Sequence, residues 1–222
     1  MSNNINFALV CEGISDQAVL ENILSGFRND ADSDFTTFNI IQPTRNAANG
    51  GGTRGGWFQV FEYCAGEKFP QLFKNNDYVV IQIDTNTTQL WHYNPKGFGN
   101  SLMGFSTAGL NFMQILYEVK CRFELIFNTI HGSSFLETNG NKIVYAISIE
   151  EVECWLLPLK GIAQQHLNCH DLLGKPKKNV STYSNLSIKL ADRAKLFHYS
   201  AQSTSLQTFI DELQLKNIPI CP

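Results

Sequence analysis

Acids and amides stand at the ends of three apolar runs in this sequence. NFALVCEG delivers Glu12 ahead of Gly13, YVVIQIDTN delivers Asp84 and Asn86, and KIVYAISIEEVE delivers Glu150 and Glu153. Carboxylates that converge without a His or Cys cluster beside them prefer a hard cation held through oxygen, Mg²⁺ or Mn²⁺. Mg²⁺ keeps several of its waters and meets phosphate substrates, so the chemistry of such a set would be phosphodiester cleavage or phosphoryl transfer. Each acid also has a structural explanation. Strands often end at polar residues, Asp84-Thr85-Asn86 suits an Asx-turn, and Glu150 or Glu151 suits the first turn of a helix. Glu153 is harder to place this way, because it lies between Val152 and Trp155 in an apolar stretch. A helix there would put Glu150 and Glu153, three residues apart, on one face.

The elements that must carry these groups follow from periodicity. Residues 5–11, FTTFNIIQPT, YVVIQID and KIVYAISI read as strands, the second stopped by Pro43. Ser15 and Asp16 offer N-cap chemistry for a helix whose apolar face is Val19, Leu20, Ile23, Leu24 and Phe27. WFQVFEYCAGEKFPQLF reads as a helix broken near Gly66, and 109–130 as a long helix capped at Ser106 or Thr107. HGSSFLETNGNK reads as a loop, EVECWLLPL as the start of a helix ended by Pro158, and SIKLADRAKLF and SLQTFIDELQ as later helices. Strands that are apolar on both faces and alternate with helices indicate an α/β fold with a mostly parallel central sheet flanked by helices. A core over 1–160 and a helical extension over 161–222, packed on that core, are expected. In open parallel sheets functional groups gather at the carboxyl ends of the strands, which would bring all three acidic clusters to one crevice.

The chain has 222 residues, 43% apolar and 17% charged, suited to one ordered core rather than to disorder. No basic leader with an apolar core opens the sequence, and no apolar run is long enough to span a bilayer, so a cytoplasmic protein without a membrane partner is expected. Six cysteines lack CxxC spacing and are expected to be reduced thiols. The net charge is −3, but residues 171–200 carry Lys175, Lys177, Lys178, Lys189, Arg193 and Lys195 against Asp171 and Asp192, six positive against two negative, or +4. That section is a candidate surface for a nucleic-acid backbone, read through phosphates rather than bases, with a solvated helix face as the plainer reading.

Taken in order, VCEGISDQAVLENIL resembles the opening motif of TOPRIM domains, an apolar strand ending Glu-Gly followed by an acid at the head of a helix. VVIQIDTN falls where that family has an Asp-x-Asp strand end. IEEVECWLLP is similar to the Glu-x-Trp-Leu-Leu signature of a bacterial branch near the nucleases that overcome lysogeny defects and near phage-defence effectors. The resemblance implies a TOPRIM/Rossmann-like sheet binding one or two Mg²⁺ ions beside DNA or tRNA, and an effector working with a partner ATPase. It implies Glu12 as general acid/base or metal ligand, Asp84 and Asn86 as metal ligands, and Glu153 with Glu150 at a second metal position. Gly13 and Asp16 would support them. Asn86 stands where the family has its second aspartate, and Leu159 where relatives often carry a further acid, so a binding module without activity is the alternative that this pattern leaves open.

Other motifs carry less. NGGGTRGGW lacks the Gly-Lys-Ser/Thr end of a phosphate loop and reads as a flexible loop, with Arg54 a candidate phosphate contact. His166, Cys169 and His170 have zinc-like spacing but no fourth ligand nearby. DTNTT faintly echoes an aspartyl-phosphate motif, but on a later strand than such phosphohydrolases use.

Overall fold

The computed structural model describes residues 4–45, 54–93, 102–163 and 168–221. In chain order the described elements are β1 (Ile5–Val10), α1 (Ile14–Arg28), β2 (Thr36–Gln42), α2 (Trp57–Cys64), α3 (Leu72–Asn75), β3 (Tyr78–Asp84), β4 (His92–Tyr93), β5 (Leu102–Met103), α4 (Phe112–Ile126), α5 (Ser134–Asn139), β6 (Ile143–Ser148), α6 (Cys169–Leu172), α7 (Val180–Ser187), α8 (Arg193–Ser200) and α9 (Thr204–Leu215). Short 3₁₀ turns link several of them, including Val152–Trp155, Leu157–Lys160 and Ile188–Ala191. Four strands form a wholly parallel sheet in the order β2-β1-β3-β6, and β4 and β5 make a separate antiparallel pair. This is the expected α/β architecture with a helical C-terminal part.

Alternate residues of each central strand enter two different cores, which is why these strands read as continuous apolar runs. On one face Phe7, Leu9, Val80, Val144 and Ala146 pack with Val19, Leu20 and Ile23 of α1 and with Leu206, Phe209 and Leu213 of α9. On the other, Ala8, Val10, Ile81, Ile83 and Ile147 pack with Phe61 of α2 and with Val119 and Phe123 of α4. Tyr183, Leu190 and Leu196 belong to the α1-side core, so the helical extension shares its packing with the sheet. Among the described residues no helix is long and apolar enough to cross a membrane.

Several boundaries differ from the sequence reading. The N-cap of α1 is Gly13, and Ser15 and Asp16 lie inside the first turn. The long helix starts at Phe112 behind a capping box of Asn111 and Gln114, and its last turn widens into a π-helix, Phe127–His131. HGSSFLETNGNK contains α5 rather than being all loop, because Phe135 is buried against the rings of Phe69, Phe73 and Phe127. EVECWLLPL forms two 3₁₀ turns instead of a helix, since Glu150 is left-handed (φ 65°) and Glu151 extended (φ −144°).

Gly26 sets how closely α1 meets the C-terminal part. A Cβ built there would lie 2.0 Å from the carbonyl oxygen of Leu190. In an open helix, Gly→Ala gains about 1 kcal/mol. Here we expect Gly26→Ala to lose about 1–3 kcal/mol through overpacking, read as a lowered urea midpoint at unchanged slope.

Candidate active site

β1, β3 and β6 are neighbours running in one direction, so their carboxyl ends lie side by side; Val10 is in register with Ile81, and Asp84 with Ser148. The two-residue period puts Gln82 and Asp84 on the face of Val80, and Ser148 on the face of Val144 and Ala146. That is the face covered by α1, whose first turn carries Asp16. Glu153 arrives from the 3₁₀ turn after β6. This turn is anchored by Trp155, whose Nε1–H donates to Ser205 Oγ at 2.6 Å and whose ring stacks on Phe209.

The result is a cluster of carboxylates largely removed from water. Asp84 is 9% exposed, Asp16 6% and Glu153 1%, with Glu12 partly exposed at the rim. The Asp84 N–H donates to Glu12 Oε1 at 3.0 Å, and the Glu12 N–H donates to Gln82 Oε1 at 3.0 Å. Gln82 Nε2 donates to Asp84 Oδ1 at 2.8 Å, and the Ser148 hydroxyl donates to the same oxygen. Ser15 Oγ donates to Asp16 Oδ1 at 3.2 Å.

Proton affinities follow from this crowding. Burial pushes the Glu12 carboxyl up to about 8; the Asp84 N–H and Lys178 work against the rise, and the charge of Asp16 adds to it. Asp16 is pushed up to about 6 by burial and by Glu153, against Lys178 and hydrogen bonds from Ser15 and Gly13. Asp84 is held well above the usual carboxylate range by burial and by the charges of Asp16, Glu12 and Glu153, with the Ser148 hydrogen bond opposing. Each of these groups feels at least one of the others, so the four acids form one electrostatic unit.

One cation enters the unit. Lys178 Nζ lies 3.3 Å from Glu153 Oε1. Burial works to lower its proton affinity, but Glu153, Glu151 and Asp16 outweigh that and hold the ammonium above its ordinary value. The buried Tyr183 hydroxyl, from α7, donates to the same Glu153 oxygen. The second oxygen, Glu153 Oε2, is buried with no hydrogen-bond partner.

The other residues expected at the site lie outside the acid cluster, with Arg54 beside its rim. Asn86 is exposed, and its N–H donates to the Glu150 carbonyl at 3.0 Å. Glu150 is raised by burial and by Glu151 alone, and its left-handed backbone prevents the shared helix face with Glu153. Arg54 is exposed on the loop beside Glu12, its carbonyl held by Gln42 Nε2 at 2.7 Å. Of the basic section, Lys175 pairs with Asp171 and Lys195 with Asp192, while Lys177 and Lys189 are exposed. Arg193 donates to the Phe27 carbonyl and lies over the Phe27 and Phe197 rings, so it fastens α8 to α1 rather than facing a ligand.

The expectation of reduced thiols and the zinc spacing both change at Cys169, which is disulfide-bonded to Cys154. His166 lies outside the described residues, and His170 is occupied locally, its N–H donating to Glu151 Oε1 and its ring Nε2 hydrogen-bonded to the Pro176 carbonyl. The bridge joins the segment next to Glu153 to the stretch that leads to Lys178. Gln82, Ser148 and Tyr183 are site residues that sequence reasoning missed. The first two were detectable as polar residues on the Asp84 face of apolar strands; Tyr183 carried no signal.

An all-oxygen, anionic donor set with one orphaned buried oxygen suits a hard cation in its chemistry. In its geometry, no three His, Cys, Asp or Glu side chains among the described residues stand where they could hold a common ion, and Lys178 already neutralises part of the charge. Loading would therefore require carboxylates to turn and Lys178 to yield. Compared with protein-family models, with curated proteins and with solved structures, the chain matches none.

Proposed function

We propose that this protein is a Mg²⁺- or Mn²⁺-dependent nuclease of the TOPRIM type, hydrolysing phosphodiester bonds in DNA or tRNA. The observation that carries the reading is the gathering of carboxylates at adjacent strand ends and the head of α1, with Glu12, Asp16 and Asp84 raised in proton affinity by burial and by neighbouring acids. Buried like charges are costly to keep unless they have work to do. Asp16, Asp84 and Glu153 would hold the cation only once their carboxylates turn and Lys178 leaves Glu153, while Asn86 and Glu150 lie outside this set. The ion, when bound, supplies Lewis acidity at the phosphoryl group.

The chain's own residues supply the rest. Glu12, held near 8, is a proton acceptor matched to neutral pH and can take the proton of an attacking water. Gln82 and Ser148 fix Asp84, and Tyr183 fixes Glu153. Lys178 offers positive charge to a phosphate once it leaves Glu153. We extend the proposal to an effector of anti-phage defence, working with a partner ATPase in the cytoplasm. The Cys154–Cys169 bridge fits an oxidising compartment better.

A second reading has its own support. Lys178 already pairs with Glu153, and Asn86 stands away from the acids, as in a nucleic-acid or partner-binding module that has lost its chemistry. The test is incubation with plasmid DNA, single-stranded DNA and tRNA in Mg²⁺, Mn²⁺ or chelator. We expect cleavage with metal only, lost in Glu12→Ala. Cleavage that survives both Glu12→Ala and Asp84→Ala would end the mechanism. Binding without cleavage, and with no Mn²⁺-dependent rise in melting temperature, would establish the binding module.

A further inference from the structure

Buried polar side-chain atoms are normally hydrogen-bonded, and each exception calls for a reason. Three such exceptions fall within five residues just beyond Asp84: Thr87 Oγ1, Thr88 Oγ1 and Trp91 Nε1. Thr88 and Trp91 are themselves buried, at 0% and 2% exposure. A buried indole N–H without an acceptor costs free energy that a bound group could recover.

The Trp91 ring belongs to an aromatic cluster in the core on the α2 and α4 side of the sheet, the face opposite α1, and this cluster comes up to the Glu12 segment through α2. The Trp91 centroid lies 6.3 Å from that of Trp57, and Trp57 meets Phe58 edge-on at 5.8 Å. Trp57 opens α2, and the loop just before it is held against the Glu12 segment through its backbone. The Gly56 N–H donates to the Glu12 carbonyl at 2.8 Å, and a Cβ at Gly55 would lie 2.2 Å from that oxygen. Only glycine at position 55 lets this loop approach so closely. Trp57 is half-buried and Phe58 is 40% exposed, so ring surface remains open. Arg54, three residues before Trp57, is exposed on the same loop.

We propose that Trp57 and Phe58, with Thr88 and Trp91 beside them, form a subsite for an unpaired nucleobase next to the phosphodiester bond that is cleaved. Ring faces give stacking that tolerates any base, and the enclosed Trp91 N–H and threonine hydroxyls would reach acceptors and donors on a base edge only as the side chains covering them move aside. Arg54 would lie along the adjoining backbone phosphate. A duplex offers no free base face, so the substrate class is single-stranded or locally unpaired nucleic acid. This rests on the nuclease reading.

The test uses the full chain in chelator, with a single-stranded oligonucleotide carrying 2-aminopurine and its duplex form. Stacking quenches the fluorophore, and we expect quenching by the single strand only, with at least roughly tenfold tighter binding than the duplex. Trp57→Ala should weaken single-strand binding roughly tenfold and leave duplex binding unchanged. Phe58→Leu, at a more exposed position, serves where Trp57→Ala fails to fold. Absence of quenching, or equal losses for both forms, overturns the subsite. Quenching that persists in a protein inactive with every metal leaves the subsite standing and removes the catalytic reading. Metal-dependent cleavage of duplex and single strand alike, without quenching, does the reverse.

Discussion

Asp84→Asn should abolish metal-dependent cleavage and, in chelator, make the protein more stable. The substitution keeps a carbonyl oxygen to accept from Gln82 and Ser148, but removes a carboxyl whose ionised form is opposed by burial and by Asp16, Glu12 and Glu153. For a chain of this length, each kcal/mol regained raises the melting temperature by about 2–4 °C. The activity lost should be at least about a hundredfold, beyond the roughly 10–100-fold typical for residues that only support a metal's ligands. Opposite signs for stability and function are the mark of a site kept under strain for its chemistry. A carboxylate present only to hold the strand ends together would give the contrary pair, lower stability with unchanged cleavage. Melting curves and plasmid nicking on the same preparation separate the two.

The pH dependence carries the second large effect. Glu12 moves from an ordinary 4.5 to about 8 in the folded chain, and Asp16 from 3.8 to about 6. Both are raised, so between these limits the native state holds protons that the unfolded chain has released. Stability in that range must fall as pH rises. The contribution is complete below about pH 4, begins to be lost above the unfolded-state values, and is gone above about pH 8. For metal-free protein we expect the urea-unfolding free energy to drop by on the order of several kcal/mol between pH 5 and pH 8. This runs opposite to the usual behaviour of carboxylates paired with cations. If these carboxylates hold the cation as proposed, Mn²⁺ should restore most of the loss, and more strongly as pH rises, because the metal competes with protons for them. Glu12→Gln should flatten the profile. A metal-free profile that is flat or rises across this range would contradict the clustering of these acids.

Much of this was legible in the sequence because parallel strands buried on both faces leave a near-continuous apolar signature. Val79–Ile83 and Ile143–Ile147 could hardly be anything else, and the carboxyl-end rule then brought Glu12, Asp84 and Glu153 to one rim. The same two-residue period would have flagged Gln82 and Ser148, had they been counted on the Asp84 face. What sequence could not give was set by contacts between distant segments. Glu150 leaves the helix expected of it because its backbone is tied to the end of β3: its N–H donates to Thr85 Oγ1, and its carbonyl accepts from Thr85 and Asn86. Lys178 read as a phosphate contact among other lysines, yet it reaches Glu153 because α7 lies against α1, where Asn22 Nδ2 donates to the Ser184 carbonyl and to Ser187 Oγ. No local pattern paired Cys154 with Cys169 across 15 residues.

That pairing has a bearing on how limited digestion of this molecule will look. A protease cutting once between the two half-cystines severs the backbone but not the covalent path around it. The nicked species would migrate as a single intact band under denaturing conditions, and would split into an amino-terminal piece bearing β1 to β6 and a smaller helical remnant only when mercaptan is added to the gel buffer.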